Sequence, residues 1–483
     1  MIRGKRPFFP LRKVFALVLA GFLCLGLETD LRGAPPALPD PEQLIYPPLS
    51  FQPPQAVRFT LANGIGVYFL EDRELPLVNL HALIQTGRKD DPEGQEGLAE
   101  LTGQVMRSGG VEGLSGDALD EVLEEMAALV TQTGNRETTT FSLSLMSKDR
   151  ERGTDLFSRI LRQPSFEEGE LALSKSLKNE ELRRIADDPQ ALAFREFGRI
   201  MLEGSPGGRV ATTASLAALQ REDLVRFHRR HVRPDRILLA LSGDLDSREA
   251  ERLLNRYFGS WPVEKTPPPP PPAPPHSREG ALFLIPKEGP QSIVLLGSLA
   301  PVKGDPRSLS MGLVDFYTGS GGFRSRIVQE VRTDRGLAYS AGSFYQAGRS
   351  YGLFGAYAFT KSDSTQEVIS LLKTILQNIA EKPISSEEMT RMKSALLNRF
   401  IFSFTSTEQI ALQQLLLEIQ GLPPDYLMTY PRRLADLELP DFTETARRFL
   451  DPSKAVVVVL GNEAVCKDLE RIYPQAQRVK PVF

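Results

Sequence analysis

Hydrophobic and polar residues alternate along several short stretches of the chain, and apolar residues recur at helical spacing along others. Alternation or an unbroken apolar run predicts strands at residues 61–70, 77–84, 141–146, 237–241 and 455–460. Spacings of three and four residues predict helices at 119–129 and 168–185. Because strands and helices mix without strict alternation, the pattern favours an α+β fold in which helices cover sheets.

The two halves of the chain repeat one another. Residues 216–244 align with residues 434–462 at a constant offset of 218. This offset pairs Leu216 with Leu434, Leu219 with Leu437, Asp223 with Asp441, Arg229 and Arg230 with Arg447 and Arg448, Pro234 with Pro452, and Gly243 with Gly461. At the same offset Lys175 falls on Lys393 and Ser176 on Ser394. One register over so long a stretch predicts duplication of a unit of about 200 residues.

A proline-rich stretch separates the repeated units. Residues 266–275 read TPPPPPPAPP, which cannot join a helix or a sheet and predicts a semi-rigid polyproline II spacer. We therefore predict an N-terminal domain at 55–262, a linker at 263–278 and a C-terminal domain at 279–475.

The composition is that of an ordinary globular protein, with 41% hydrophobic and 25% charged residues among 483. A formal net charge of −3 gives no reason to expect nucleic-acid binding. The only cysteines are Cys24 and Cys466, so we expect packing rather than disulfides to stabilise the fold. We interpret Cys466 as an inert helix residue.

The N-terminal segment 1–27 has the pattern of a secretory signal peptide. Residues 1–27 hold five basic residues and no acidic residue, and the basic residues precede an apolar run at 14–27 that is short for a membrane span. We predict export to the periplasm or the exterior, with an uncleaved membrane anchor as the alternative. Loss of this segment would leave 53 basic and 61 acidic residues, a net charge of −8.

Few residues outside the motifs described below could bind a metal. The four histidines are His81, His228, His231 and His276. His228 and His231 stand three residues apart and could share an ion, but their counterparts in the repeat are Ala446 and Phe449, which favours packing. Glu96 and Glu100 could accept a hard cation, although two carboxylates on one helix are usually a solvated face.

Three stretches resemble the insulinase/pitrilysin metallopeptidases, a family of inverzincins. They are residues 61–101, beginning LANGIGVYFLEDRELPLVNL, residues 161–190, LRQPSFEEGELALSKSLKNEELRRIADDPQ, and residues 319–340, GSGGFRSRIVQEVRTDRGLAYS. The resemblance covers roughly 56–473, nearly all of the chain after the predicted signal. It implies two homologous halves, each a mixed or antiparallel sheet covered by helices, that enclose a chamber.

The resemblance also implies a damaged zinc site. Family members carry HxxEH, in which two histidines on one helix face bind zinc and the glutamate between them acts as general base. At these positions the chain has Glu100 for the first histidine, Gly103 for the base and Gln104 for the second histidine. The family's third ligand matches Glu181, which alone cannot hold zinc and is interpreted as a relic or as a surface or capping residue. We expect this chain to bind no metal and to have no catalytic residue of its own.

The second half keeps other features of the family. By resemblance, Arg332 helps to fix a peptide substrate and Tyr339 donates a hydrogen bond to the oxyanion, while Gly319, Gly321 and Gly322 form a loop that shapes the substrate passage. The neutral alternative is that Arg332 is a surface residue and that Tyr339 starts a strand and packs.

The sequence therefore predicts the zinc-less subunit of an exported two-chain peptidase. A homologous subunit that carries HxxEH would supply zinc, and a peptide or an unfolded polypeptide would be the substrate. The alternative is a non-enzymatic scaffold or peptide-binding module in a larger assembly. Independent zinc hydrolysis through other ligands is disfavoured. No nucleic acid is expected as a partner, and a membrane only if the N-terminal segment is uncleaved.

Overall fold

The computed structural model describes residues 54–263 and 272–483. The predicted signal or anchor at 1–27 lies outside the described residues, as do residues 264–271 of the predicted linker. Across the described part of the chain, none of the helices is long and apolar enough to cross a membrane.

The first half consists of one sheet and of helices that lie before, between and after its later strands. Its strands are β1 (Val57–Thr60), β2 (Gly66–Glu71), β3 (Leu77–Ile84), β4 (Leu129–Gly134), β5 (Thr139–Met146) and β6 (Ile237–Gly243). Its helices are α1 (Leu98–Ser108), α2 (Gly116–Glu125), α3 (Arg150–Arg162), α4 (Glu168–Asp187), α5 (Pro189–Met201), α6 (Thr213–Ala218), α7 (Arg221–His231) and α8 (Ser247–Tyr257).

The second half has a similar, though not identical, order of elements. Its strands are β7 (Leu282–Pro286), β8 (Gln291–Leu299), β9 (Ala338–Ala347), β10 (Gly352–Lys361), β11 (Val456–Gly461) and β12 (Gln477–Arg478). Its helices are α9 (Ser308–Asp315), α10 (Thr365–Glu381), α11 (Ser386–Ile401), α12 (Thr407–Ile419), α13 (Tyr426–Ala435), α14 (Leu439–Phe449) and α15 (Glu463–Ile472).

The two sheets match in five of their six strands, which confirms the predicted fold class, and differ at one edge, where β1 runs antiparallel to β2 but β12 runs parallel to β7. Their strand orders are β1-β2-β6-β3-β5-β4 and β12-β7-β11-β8-β10-β9. In the first sheet, β6 runs parallel to β2 and antiparallel to β3. In the second sheet, β11 runs parallel to β7 and antiparallel to β8. Helices α7 and α14 begin and end 218 residues apart, at the offset read from the sequence. The enclosed chamber stays a prediction.

Most of the predicted elements are confirmed, and two are wrong in part. The predicted strand at 61–70 begins too early, because residues 61–65 form a turn between β1 and β2 that includes Gly64 at φ +90°, and the strand itself starts at Gly66. The predicted helix at 119–129 is too long. Helix α2 ends at Glu125, Ala127 adopts a left-handed φ of +48°, and the chain reverses into β4.

One helix of each half packs on the sheet of the other half. Helix α5 of the first half packs on β8 and β11, where Phe197 lies in one buried cluster with Leu295 and Val458. Helix α12 of the second half packs on β2 and β6, where Leu415 is buried with Leu83 and Ala240. Since an apolar sheet face must be buried against another element, this exchange joins the halves through shared cores.

Polar contacts surround the apolar centre of the α12 contact. The Arg58 guanidinium lies 2.9 Å from the Glu418 carboxylate, and this hydrogen bond is the main reason that the pKa of Glu418 is lowered. The hydroxyl of Tyr68 donates to the same carboxylate at 2.5 Å. At the other end of α12, His81 Nε2 lies 2.9 Å from Glu408 Oε1. The apolar core therefore fixes the helix against the sheet, and polar contacts hold it near both ends.

Candidate functional site

Helix α1 carries the positions at which the family would bind zinc. It begins after Gly97, at φ +101°, without a side-chain cap of its own. Asp91 supplies the cap instead, because its carboxylate accepts hydrogen bonds from the backbone N–H groups of Gly97 at 2.8 Å and Ala99 at 2.7 Å. Burial raises the pKa of Asp91 to about 7, and these two hydrogen bonds partly oppose that rise. The apolar side of α1, including Leu101 and Val105, is buried in the core of the first half.

A lysine ammonium links the two acidic residues of the degenerate zinc site. Lys178 Nζ lies 2.7 Å from Glu100 Oε1 and 2.9 Å from each carboxylate oxygen of Glu181. The Lys178 side chain is only 10% exposed, whereas Glu100 is 25% and Glu181 51% exposed. Glu100 is on α1 and the other two residues are on α4, so the ammonium also ties these helices together. The structure thus brings Glu100 and Glu181 together around a side-chain cation, the ammonium of Lys178.

The residues at these positions do not fit a catalytic zinc ion. Zinc in peptidases takes histidine and carboxylate ligands, and here two carboxylates already share the positive charge of Lys178. At Gly103 a β-carbon would stand 2.6 Å from the amide nitrogen of Gln132 on β4, so that amide occupies the space of the missing side chain. Within residues 54–263 and 272–483, no group of three His, Cys, Asp or Glu side chains could hold a metal ion.

The other candidate metal ligands have separate structural partners. His228 is buried, its Nε2 lies 2.8 Å from the carbonyl oxygen of Leu161, and burial lowers its pKa. His231 packs on the Phe227 ring at 4.3 Å, and burial lowers its pKa too. Packing, the favoured interpretation of this pair, is confirmed.

Two further sequence interpretations can be compared with the structure. Glu96 accepts from the backbone N–H of Gly94 at 3.0 Å while Glu100 contacts Lys178, so these carboxylates bind different partners. Cys466 is buried in α15, and burial raises the pKa of its thiol to about 11, as expected for an inert helix residue.

The glycine-rich loop of the second half lies between two π-helical turns. Helix α9 continues into a π turn at Phe316–Ser320, and a second π turn spans Val328–Thr333. A β-carbon on Gly319 would overlap the backbone nitrogen of Ser343, and Gly322 has φ +75°, so both positions require glycine. Such turns are rare and often occur at functional sites.

A buried carboxylate anchors this loop to β9. Asp315, at the end of α9, accepts a hydrogen bond of 2.5 Å from the hydroxyl of Ser343. Burial raises the pKa of Asp315, and hydrogen bonds from Ser343 and Ser320 oppose the rise. Since Tyr339 lies on the same strand as Ser343, Asp315 fixes the loop relative to Tyr339.

The structure brings Arg332 and Tyr339 into contact at the surface. The Arg332 guanidinium carbon lies 5.1 Å from the centre of the Tyr339 ring and 5.2 Å from that of the Phe323 ring. Tyr339 is 83% and Phe323 70% exposed. Tyr339 is the second residue of β9, near the strand start that the neutral interpretation expected, but it does not pack into the core. Phe323 was missed in the sequence, where its only signal is an aromatic residue directly after GSGG.

Comparison with known proteins identifies relatives of both halves. Residues 69–211 match the family described as insulinase (peptidase family M16). Residues 218–396 match the domain described as the peptidase M16 inactive domain. An uncharacterized zinc protease of Streptomyces coelicolor is 26% identical over 330 residues, which cover 64% of this chain and 71% of that protein.

Solved structures share the fold. A peptidase M16 inactive domain from Pseudomonas fluorescens superposes with a TM-score of 0.77 at 23% identity and covers 89% of this chain and all of its own. The periplasmic protease PqqL from Escherichia coli superposes with a TM-score of 0.72 at 16% identity, over 88% of this chain and 47% of that one. At these identities the likeness concerns the fold alone.

Proposed function

The chain belongs to the insulinase (M16) family of metallopeptidases, and from that premise we propose that it is the zinc-less, non-catalytic subunit of a two-chain peptidase. The observation that carries the proposal is the ammonium of Lys178 between Glu100 and Glu181. A divalent ion would have to displace this buried cation and would find no histidine beside it. The chain therefore binds no zinc, and a homologous partner with an intact HxxEH motif supplies the metal and the general base.

This chain contributes Arg332 and Tyr339 to the shared site. Tyr339 is 83% exposed, so its hydroxyl can reach a peptide held by another subunit and donate a hydrogen bond to the carbonyl oxygen as negative charge develops there. Arg332 contacts the Tyr339 ring and orients the peptide through its N–H groups. An oxyanion donor needs only the correct position, so it can come from a different chain.

We also propose that the subunit works outside the cytoplasm, in the periplasm or the exterior, on peptides or unfolded polypeptides. The basic and apolar pattern of residues 1–27 supports export. The shared fold with a protease named periplasmic agrees with this location.

Reconstitution tests the proposal. The chain is purified alone and together with an HxxEH-bearing homologue from the same source, and hydrolysis of a quenched fluorescent peptide is measured. We expect no hydrolysis and no stoichiometric zinc for the chain alone, and hydrolysis by the mixture. In the mixture, Tyr339→Phe should lower kcat by about a hundredfold or more, as for loss of one oxyanion donor.

The control is Arg391→Ala, which removes an exposed arginine of α11. It should leave the rate unchanged, whereas Arg332→Ala should raise KM. Equal rates for the mixture with and without the Arg332 and Tyr339 substitutions would refute the active role, and zinc-dependent hydrolysis by the isolated chain would refute the non-catalytic assignment.

A peptide-binding scaffold is the second candidate. The exposed rings of Phe323 and Tyr339 also suit a chain that holds peptides without cleavage. Purification of the chain from its source distinguishes the two functions. A co-purifying zinc peptidase supports the first, and a larger assembly without peptidase activity supports the second.

A further inference from the structure

We propose that Phe323, Arg332 and Tyr339 form a subsite for acidic peptides, in which Arg332 binds a carboxylate and Phe323 contacts the neighbouring apolar side chain. The inference rests on the proposed function, because it names the class of peptide that the site would receive. It adds Phe323 as a specificity residue and a carboxylate as the recognised group.

The geometry around Arg332 favours a carboxylate. Its guanidinium lies within cation–π distance of two aromatic rings, at 5.2 Å from Phe323 and 5.1 Å from Tyr339. A guanidinium stacked on aromatic faces keeps its N–H edge free, and that planar edge matches the two oxygens of a carboxylate. Such a bidentate pair is stronger than a neutral hydrogen bond.

The backbone presents Phe323 rather than burying it. Phe323 follows Gly322, whose φ of +75° turns the chain outward, and it is 70% exposed. The π turn at Val328–Thr333 inserts an extra residue into the helical path and so changes the direction of Arg332. Two large aromatic side chains are thus exposed around one arginine, although burial of each would stabilise the fold by about 2 kcal/mol.

Local charge supports an acidic ligand. Residues 322–336 contain four arginines and two acidic residues, a net charge of +2 in a chain of net charge −3. One acidic residue, Glu330, already pairs with Arg326 at 2.9 Å. The other, Asp334, accepts a hydrogen bond from Gln329 at 2.8 Å. The exposed Arg324 and Arg335 therefore add positive potential around Arg332.

Fluorescence anisotropy on the purified full chain tests the subsite. The probe is a rhodamine-labelled octapeptide that contains Leu-Asp-Phe-Glu, and the reference is the same peptide with Leu-Asn-Phe-Gln. At 50 mM salt we expect the acidic peptide to bind about tenfold more tightly, and at 0.5 M salt the difference should shrink because exposed charges are screened.

The variants separate the two roles. Arg332→Ala should remove the preference for the acidic peptide, and Phe323→Ala should weaken both peptides by about fivefold, close to the 1 kcal/mol expected for lost aromatic contact. Phe402→Ala is the matched control, since Phe402 is another exposed phenylalanine, at 78%. It should leave both affinities unchanged. Thermal unfolding of each variant should be close to that of the parent, because Phe323 and Phe402 are exposed and Arg332 is only partly buried.

Equal affinity for the two peptides, or an unchanged affinity in Phe323→Ala, would overturn the subsite. The binding assay uses this chain alone, whereas the proposed function depends on hydrolysis with a partner. Hydrolysis without a preference for acidic peptides would reject only the subsite, and selective binding without hydrolysis would reject only the peptidase role.

Discussion

Replacement of Lys178 by methionine should destabilise the protein. Methionine keeps the length of the side chain but removes the ammonium that contacts Glu100 and Glu181 at 2.7 and 2.9 Å. Two carboxylates about 5 Å apart then repel by about 3 kcal/mol at an effective dielectric constant of about 20. Breaking a buried ion pair costs about 3–5 kcal/mol, while an exposed pair contributes about 0–1 kcal/mol. Since Glu181 is half exposed, we expect the free energy of unfolding to fall by about 2 kcal/mol.

Urea denaturation at pH 7, followed by circular dichroism, measures this change. The double variant Lys178→Met/Glu100→Gln should recover about half of the lost stability. Glu100→Gln removes one of the two carboxylates that Lys178→Met leaves unpaired, so that they no longer repel each other. Arg183→Met is the control, since Arg183 forms an exposed pair with Glu180 on the same helix. It should change stability by no more than about 0.5 kcal/mol. A Lys178→Met variant as stable as the parent would refute the idea that the ammonium neutralises these carboxylates.

Three further outcomes are expected. Gly297→Ala should destabilise the fold by about 1–3 kcal/mol in urea denaturation, because the new methyl group would overlap the Phe197 ring that α5 inserts across the halves; an unchanged midpoint would contradict that contact. Arg58 lowers the pKa of Glu418 below the ordinary value of about 4.3. The Glu418 carboxylate therefore stabilises the fold at pH values above about 4.3, and this stabilisation is lost as the pH falls through the lower pKa of the folded state. Glu418→Gln should therefore flatten the acid limb of a pH–stability curve, and an identical curve would argue against the pair. Finally, the family's zinc motif can be restored with histidines at 100 and 104 and a glutamate at 103, together with Gln132→Ala to make room. This variant should bind about one zinc per chain, measured by mass spectrometry, only when Lys178→Ala is added. Full zinc loading with Lys178 in place would refute the idea that the ammonium and the metal compete for this site.

Sequence patterns predicted the strands that are buried on both sides better than those at the edges. Strand β3 matches its prediction, and all residues of β6 are buried, as its unbroken apolar run indicated. Strand β4 lies at an edge of its sheet and has the mostly exposed sequence LVTQTG. Because an edge strand pairs on only one side, it lacks a clear apolar signature. Its first residue was therefore assigned to the preceding helix.

The sequence predicted only those residues of the candidate site that belong to a family motif. Arg332 and Tyr339 follow from the family motif, and the structure places them in contact. Lys178 has no such signal, since a lysine on a helix is ordinarily solvated, and its partner Glu100 lies 78 residues away. Only the packing of α4 on α1 reveals the pair.

The helix exchange between the halves was not predictable for a different reason. Helices α4 and α5 are separated by a single residue, Asp188, and nothing in an apolar helix face specifies which sheet it will cover. The identity of that sheet is a property of the tertiary structure.

The exchange also dictates when the protein can fold as it is synthesised. The first half leaves the ribosome before α12 exists, so the sheet surface formed by Tyr68, Leu83 and Leu238 stays uncovered until residue 419 has emerged. Domains usually fold in order from the N terminus, but here one sheet face of the early half is covered only by a helix of the late half. An incomplete chain therefore exposes an apolar sheet face of the kind that chaperones bind.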